Sequence, residues 1–317
     1  MKNSIAVWIA AGTLLAPLTA AAELAYASNE KDGTISVIDT TKDEVVSSIK
    51  AGRTPRGMAA SIDGKRLYVS DQKSNALRII ELATGTAAGS IDLGESPEGV
   101  GRSPDGKWVV VAIEEDHQVL FIDTASGKVA FKVKVEGENP EHAVFSPDSK
   151  WVFVSAEESQ VVDVIDVAAQ KLVGSVRVGK RPRGIGFTPD GARAYVACEL
   201  ANTVYAIDVA NRKVLATIPA GGRSNGIKVH PSGREVYVSN GADGTVMVID
   251  TATDKVTSTI KVGNRPWNMA LTTDGDKLYV ANGRSNTVSV IDTAAKKEVK
   301  QIKVGEQPWG VLIPGAY

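Results

Sequence analysis

Seven units of about 42 residues run through nearly the whole chain, and such a period restricts it to an array of like modules. An Ile-Asp pair or its equivalent closes a strand-like run at Asp39, Glu81, Asp123, Asp166, Asp208, Asp250 and Asp292, at intervals of 42, 42, 43, 42, 42 and 42. A second series is glycine throughout: Gly52, Gly94, Gly137, Gly179, Gly221, Gly263 and Gly305. Three residues beyond each comes Pro55, Pro97, Pro140, Pro182, Ser224, Pro266 or Pro308. The single extra residue falls between Asp123 and Gly137, where it lengthens one hairpin and leaves the series intact.

Each unit reads as four short strands. In the fourth, GIGF (Gly184–Phe187) leads through the turn TPDG to RAYVAC, then TVYAID, then KVLATI. The runs are rich in Val, Ile and Tyr and are bounded by Gly, Pro, Asp and Asn, the marks of strands and hairpins. Asp-Gly at 63–64, 105–106, 190–191 and 274–275 suits a tight turn in which glycine accepts positive φ. An Asp recurring after Ile caps the next turn through backbone N–H groups, and its repetition in six of the seven units argues against catalysis.

Four strands per 40–45 residues is the period of a propeller blade. The expected fold is therefore all-β: a single seven-bladed β-propeller over residues 23–317. LAYASN (residues 24–29) matches the second strand of a unit, and QPWGVLIP near the end matches a first strand. One blade is thus expected to take three strands from the N-terminus and one from the C-terminus, which removes the exposed edges of an open array.

Residues 1–22 differ in kind. Lys2, an apolar run from Ile5 to Leu18, and Ala20-Ala21-Ala22 follow the order of a secretory signal peptide. The run is short for a membrane span. The expectation is an exported, periplasmic protein, cleaved near Ala22 and not membrane-spanning afterwards. Apolar content of 43% supplies a core, and Cys198, the one cysteine, excludes an internal disulfide. Net charge of −1 gives no global field favouring nucleic acid.

YVSN (Tyr237–Asn240), YVAN (Tyr279–Asn282), NTVSVIDT (Asn286–Thr293) and SPDGK (Ser103–Lys107) resemble the YVTN-type (YncE-like) bacterial propellers. The closing stretch from Ser285 is similar to exported propellers associated with PQQ-dependent alcohol catabolism. That resemblance implies a place beside periplasmic quinoprotein dehydrogenases and cytochromes c, and implies no activity of its own. Val110 and Phe153 depart from the repeat's tyrosine, and Ser224 from its proline.

Departures from the repeat mark candidates for function, and loops on a rigid scaffold commonly carry it. The segment leading into each first strand and the loop between second and third strands share one face around the channel mouth. In the second and third units that face carries Glu95, Glu98, Glu114, Glu115, Asp116, Glu138, Glu141, Glu157 and Glu158. Other units offer Arg53, Arg56, Lys180, Arg181, Arg183, Arg223, Arg265 and Arg284. The expectation is an acidic sector facing a basic arc. Its uses would be docking of a cationic protein such as a cytochrome c, or a Ca²⁺ site; plain solvation of a charged rim is the alternative.

His142, which replaces the Gly or Asn usual at that repeat position and stands among Glu138 and Glu141, is the candidate for acid–base or metal chemistry, with a satisfied structural histidine as the alternative. Trp267 and Trp309 follow the proline in neighbouring units. With Arg265 and Arg284 they suggest a stacking platform for a PQQ-like quinone, a sugar lactone or a single-stranded base, or else packing between blades. His117 and His230 read as structural or surface residues, and Cys198 as core.

No assembled catalytic set is legible, so the leading expectation is a non-catalytic binding or scaffold propeller. It would recognise a protein or small molecule of PQQ-linked oxidation. A lactonase-like hydrolase using His142 is the alternative, and single-stranded nucleic-acid binding a third.

Overall fold

A computed structural model describes residues 23–315. The expected signal peptide at 1–22 lies outside the described residues. Among those described, no helix is long and apolar enough to cross a membrane.

Seven four-stranded antiparallel sheets are the blades. Blades two to seven span residues 55–92, 97–134, 140–177, 182–219, 224–261 and 266–303. Blade one joins Leu24–Asn29, Thr34–Asp39 and Glu44–Lys50 to the C-terminal strand Pro308–Leu312, which is its innermost strand. Tyr26 pairs with Leu312, Ala27 with Val311 and Ser28 with Gly310, closing the ring by the three-plus-one arrangement that the sequence predicts. Innermost strands contact one another in sequence around the axis, and the last, Pro308–Leu312, returns to Pro55–Ala60.

Burial falls outward along each blade, and the residues follow it. In blade five the second strand, RAYVAC, is buried at five of six positions, whereas the outermost, KVLATIP, is mostly exposed. Uninterrupted apolar runs are needed only where neighbouring blades cover both faces of a strand. Fully buried Tyr195, Tyr237 and Tyr279 fill the space between blades, and Phe153 takes that place in blade four.

The repeated aspartates do what turn chemistry predicts. Asp208 Oδ1 accepts from the Asn211 N–H at 2.9 Å, and Asp292 Oδ1 from the Ala295 N–H at 2.8 Å. The Asp-Gly turns have φ of +67° at Gly64 and +75° at Gly106. A different constraint fixes the glycines of the innermost strands. A Cβ on Gly184 would lie 2.6 Å from the Asn225 carbonyl oxygen, and one on Gly226 2.4 Å from that of Trp267. Backbones approach that closely around the axis, so the non-glycine residues at this position, His142 and Asn268, stand out.

Candidate functional site

Two rings of side chains frame the channel on the face that the sequence selects. The residue after each proline contributes Arg56, Glu98, Glu141, Arg183, Asn225, Trp267 and Trp309. The first residue after each second strand contributes Glu30, Gln72, Glu114, Glu157, Glu199, Gly241 and Gly283. The glycines belong to blades six and seven, so Trp267 stands in a blade whose loop offers only glycine, whereas Trp309 shares blade one with Glu30. A Cβ on Gly283 would stand 3.6 Å from Trp267, and one on Gly241 3.3 Å from Arg265. These two glycines leave room for Trp267 and Arg265.

The expected division into acidic sector and basic arc does not describe the interior of this face. Arginines and glutamates interleave there. Glu199, 1% exposed, accepts from Arg265 Nη2 at 3.0 Å, Arg183 Nε at 3.1 Å and Arg223 Nη1 at 3.3 Å. Arg183 also meets Glu141 at 2.6 Å and pairs with Glu157, which accepts from Arg181 Nε at 2.9 Å. Across the ring, Arg56 bridges Glu30, at 2.9 Å, and Glu98. Gln72 donates to Glu98 at 2.9 Å, and the Ser96 hydroxyl to Glu114 at 2.8 Å. Glu30, Gln72 and Glu199 escaped the sequence reading, although they hold the same blade position as Glu114 and Glu157.

Burial sets the ionisation of this network. It raises Glu98 well above the carboxylate range, with the charge of Glu141 adding to the effect. It pushes Glu157 up to about 8, again helped by Glu141. Burial would raise Glu141 too, but Arg183 outweighs it and holds that carboxyl low. Glu199 is likewise kept low against burial by Arg183 and Arg265. The site therefore holds both ionised and protonated carboxyls, the arrangement buried acids adopt when cations are too few for all of them.

The outer acids behave differently. Glu95, Glu115, Asp116, Glu138 and Glu158 are exposed, and none forms an ion pair among the described residues. They make a solvated acidic rim on blades three and four. Arg53, Lys180, Arg223 and Arg284 are exposed on the other blades, and Arg284 lies apart from the ion-pair network.

Trp267 and Trp309 both face the channel mouth. They line a pocket of about 360 Å³ with Arg56, Arg183, Glu141 and Glu157. The Arg265 guanidinium sits 5.6 Å from the Trp267 ring centre, a cation–π contact. Trp267 Nε1 is buried and has no acceptor. Trp309, 8% exposed, stacks on His142 at 5.6 Å between ring centres and 14° between planes. Blades one and four lie on opposite sides of the ring, so this pair reaches across the axis. Trp309 borders the polar pocket and His142 a second cavity beyond it, which makes the stacked pair a stopper between them.

The stack determines what His142 can do. Neither ring nitrogen makes a well-formed hydrogen bond, although Asn268 lies against the ring. Burial lowers its pKa, with Glu141 opposing, and the ring stays neutral. Glu141 turns to Arg183, and Glu138 points into solvent. The His142–glutamate pair considered from sequence is therefore not assembled. Among the described residues no group of three or more His, Cys, Asp or Glu is placed to hold a metal. His117 Nδ1 accepts from the Asn139 N–H at 3.1 Å, and His230 Nδ1 meets Ser232 in a turn at 2.8 Å. Cys198 is buried core, its thiol pushed up to about 12 by burial.

The chain is a bacterial-type seven-bladed propeller with a polar, tryptophan-walled pocket at one end of its channel. Residues 170–306 match the model of the family described as lactonase, 7-bladed beta-propeller. No curated protein matches the sequence. A protein of unknown function from Desulfotomaculum acetoxidans has TM-score 0.82 at 19% identity, over 93% of this chain and 100% of that one. Hydrazine synthase of Kuenenia stuttgartiensis has TM-score 0.73 at 21% identity, over 81% and 88%. The dihydro-heme d1 dehydrogenase NirN, in complex with DHE, has TM-score 0.70 at 16% identity, over 92% and 75%. At these identities the likeness is one of fold.

Proposed function

We propose that the protein is a binding propeller, not a catalyst, whose channel-mouth pocket holds a compact, uncharged, oxygen-rich ring molecule such as a sugar or sugar lactone. The observation that carries this is the pocket wall: two indoles, one with a buried N–H lacking an acceptor, beside arginines and carboxyls already paired with each other. Indole faces suit the apolar side of a ring, while fixed guanidinium and carboxyl groups exchange hydrogen bonds with hydroxyls. A PQQ-like anionic quinone fits poorly, because Arg183 and Arg56 already serve Glu141, Glu157, Glu30 and Glu98. A phosphodiester strand would meet the acidic rim.

The rim supports a second part of the proposal, a cationic protein partner. The resemblance to PQQ-associated exported propellers points to a cytochrome c or quinoprotein dehydrogenase in the periplasm. Complementary charge of this kind chiefly raises the association rate and weakens with salt. Capture of such a partner at low but not at high ionic strength is the expected result; a complex indifferent to salt, or none, removes this part.

Lactone hydrolysis is the second reading. It is favoured by the family match over residues 170–306 and by Glu157, a carboxyl with a pKa of about 8 at the pocket. A group titrating near neutral pH suits proton transfer. Turnover of sugar lactones by the wild type, lost in Glu157→Gln, would establish it; no turnover across a lactone panel would end it.

A further inference from the structure

Beyond the His142–Trp309 stack the channel changes character. A cavity of about 710 Å³ is lined mainly by apolar residues of the innermost strands, among them Met58, Val100, Ile185, Ile227, Met269 and Val311. Its outer end is bordered by the turn prolines Pro104, Pro147, Pro189, Pro231 and Pro314, on the face opposite the polar pocket. No carboxylate among the described residues lines it.

Into this cavity projects Lys228. The equivalent positions of the other innermost strands are Ala59, Gly101, Val144, Gly186, Ala270 and Leu312, so blade six alone places a charge on this ring. Among the described residues its ammonium has no hydrogen bond and no ion pair. Part of its side chain is open to the channel, yet it lies deep enough that burial lowers its pKa to about 8. The other ionisable groups on the wall relieve it of nothing. Arg102 donates to the Ser103 carbonyl at 2.9 Å, His230 is engaged by Ser232, and His142 is neutral beneath Trp309.

An isolated ammonium in an apolar setting is costly, and a counter-charge brought by a ligand removes that cost. The volume lies within the range of small-molecule sites, and an apolar wall with one fixed polar anchor is their usual composition. We infer that this cavity binds a medium-chain aliphatic carboxylate, its carboxyl group paired with Lys228 and its chain directed along the apolar wall toward the proline-ringed mouth. The site is separate from the polar pocket and does not depend on what that pocket holds.

The test is calorimetric titration of the mature protein at pH 7 with octanoate, below its micellar concentration, and with octan-1-ol. Hexanoate and decanoate test the length. Octanoate should bind at least about tenfold more tightly than the alcohol, since a desolvated ion pair exceeds a neutral contact by that margin or more. Lys228→Met, checked for folding by circular dichroism, should abolish that preference while still admitting octanol. Three results would overturn the inference: equal affinity for acid and alcohol in the wild type, no binding of any of the three acids, or unchanged octanoate affinity in Lys228→Met. The first two need no variant.

Discussion

Replacing Arg183 by Met removes a guanidinium shared by three buried carboxyls while keeping much of its apolar stem. Glu157 would retain Arg181, and Glu199 would retain Arg265 and Arg223. Glu141 would lose its one ion-pair partner among the described residues, at 2.6 Å, with its side chain almost fully buried. Removing one member of a buried pair costs about 3–5 kcal/mol. For a domain of this size that corresponds to a fall in Tm on the order of 10 °C. Urea unfolding at pH 7 measures the loss, and two further observations identify its cause. The deficit should shrink as the pH falls, because acid protonates Glu141 and removes the uncompensated charge, which Arg183 otherwise holds ionised. Adding Glu141→Gln to Arg183→Met should recover part of the stability, as expected of contacting residues in a double-mutant cycle. A loss below about 1 kcal/mol at pH 7, or a larger loss unaffected by acid and by the second substitution, would mean that Arg183 does not hold Glu141 in this way.

Three other outcomes follow from the same geometry. Glu157, held near 8, keeps a proton that the unfolded chain releases near 4.5, so it favours folding at low pH and loses that effect as pH rises to about 8; Glu157→Gln should flatten the decline of stability across that window, measured by thermal melts. Lys228, lowered to about 8, is neutral in the folded state above that pH while the unfolded chain still binds the proton up to about 10.5; Lys228→Met should therefore abolish a rise in stability between those pH values. Gly184→Ala would bring a Cβ within 2.6 Å of the Asn225 carbonyl and should lower Tm markedly, whereas Gly127→Ala, where a Cβ meets nothing but φ is +65°, should cost about 1 kcal/mol.

The fold was legible because a blade repeats its own grammar. Strand length, turn residues and the glycine–proline spacing are local, and even ring closure shows in which strand of a unit opens and closes the array. The site was legible only in its membership. Comparison of equivalent blade positions brought out Trp267, Trp309, His142 and the charged residues after each proline. Applied to the residue after every second strand, the same comparison would have included Glu30 and Glu199. Applied to the fifth position of the innermost strands, it would have found Lys228.

Pairing across the ring was beyond the reach of such comparison. Arg183 reaches acids of its own blade and of the one before, and Arg265 crosses to Glu199 two blades away. Trp309 stacks on a histidine from the opposite side of the channel. A count of charges by blade therefore suggested separated sectors, where closure of the ring brings opposite charges together inside and leaves only the outer acids unpaired.

Calorimetric titration of sugars and sugar lactones into wild-type, Trp267→Ala and Arg284→Ala proteins decides whether the pocket between Trp267 and Trp309 is a ligand site. At least one ring compound should bind the wild type, with a loss of about tenfold or more in Trp267→Ala, consistent with removal of one stacking face, and no change in Arg284→Ala, which lies outside the pocket. Absence of binding across the panel, or equal affinity in wild type and Trp267→Ala, would contradict a ligand site there.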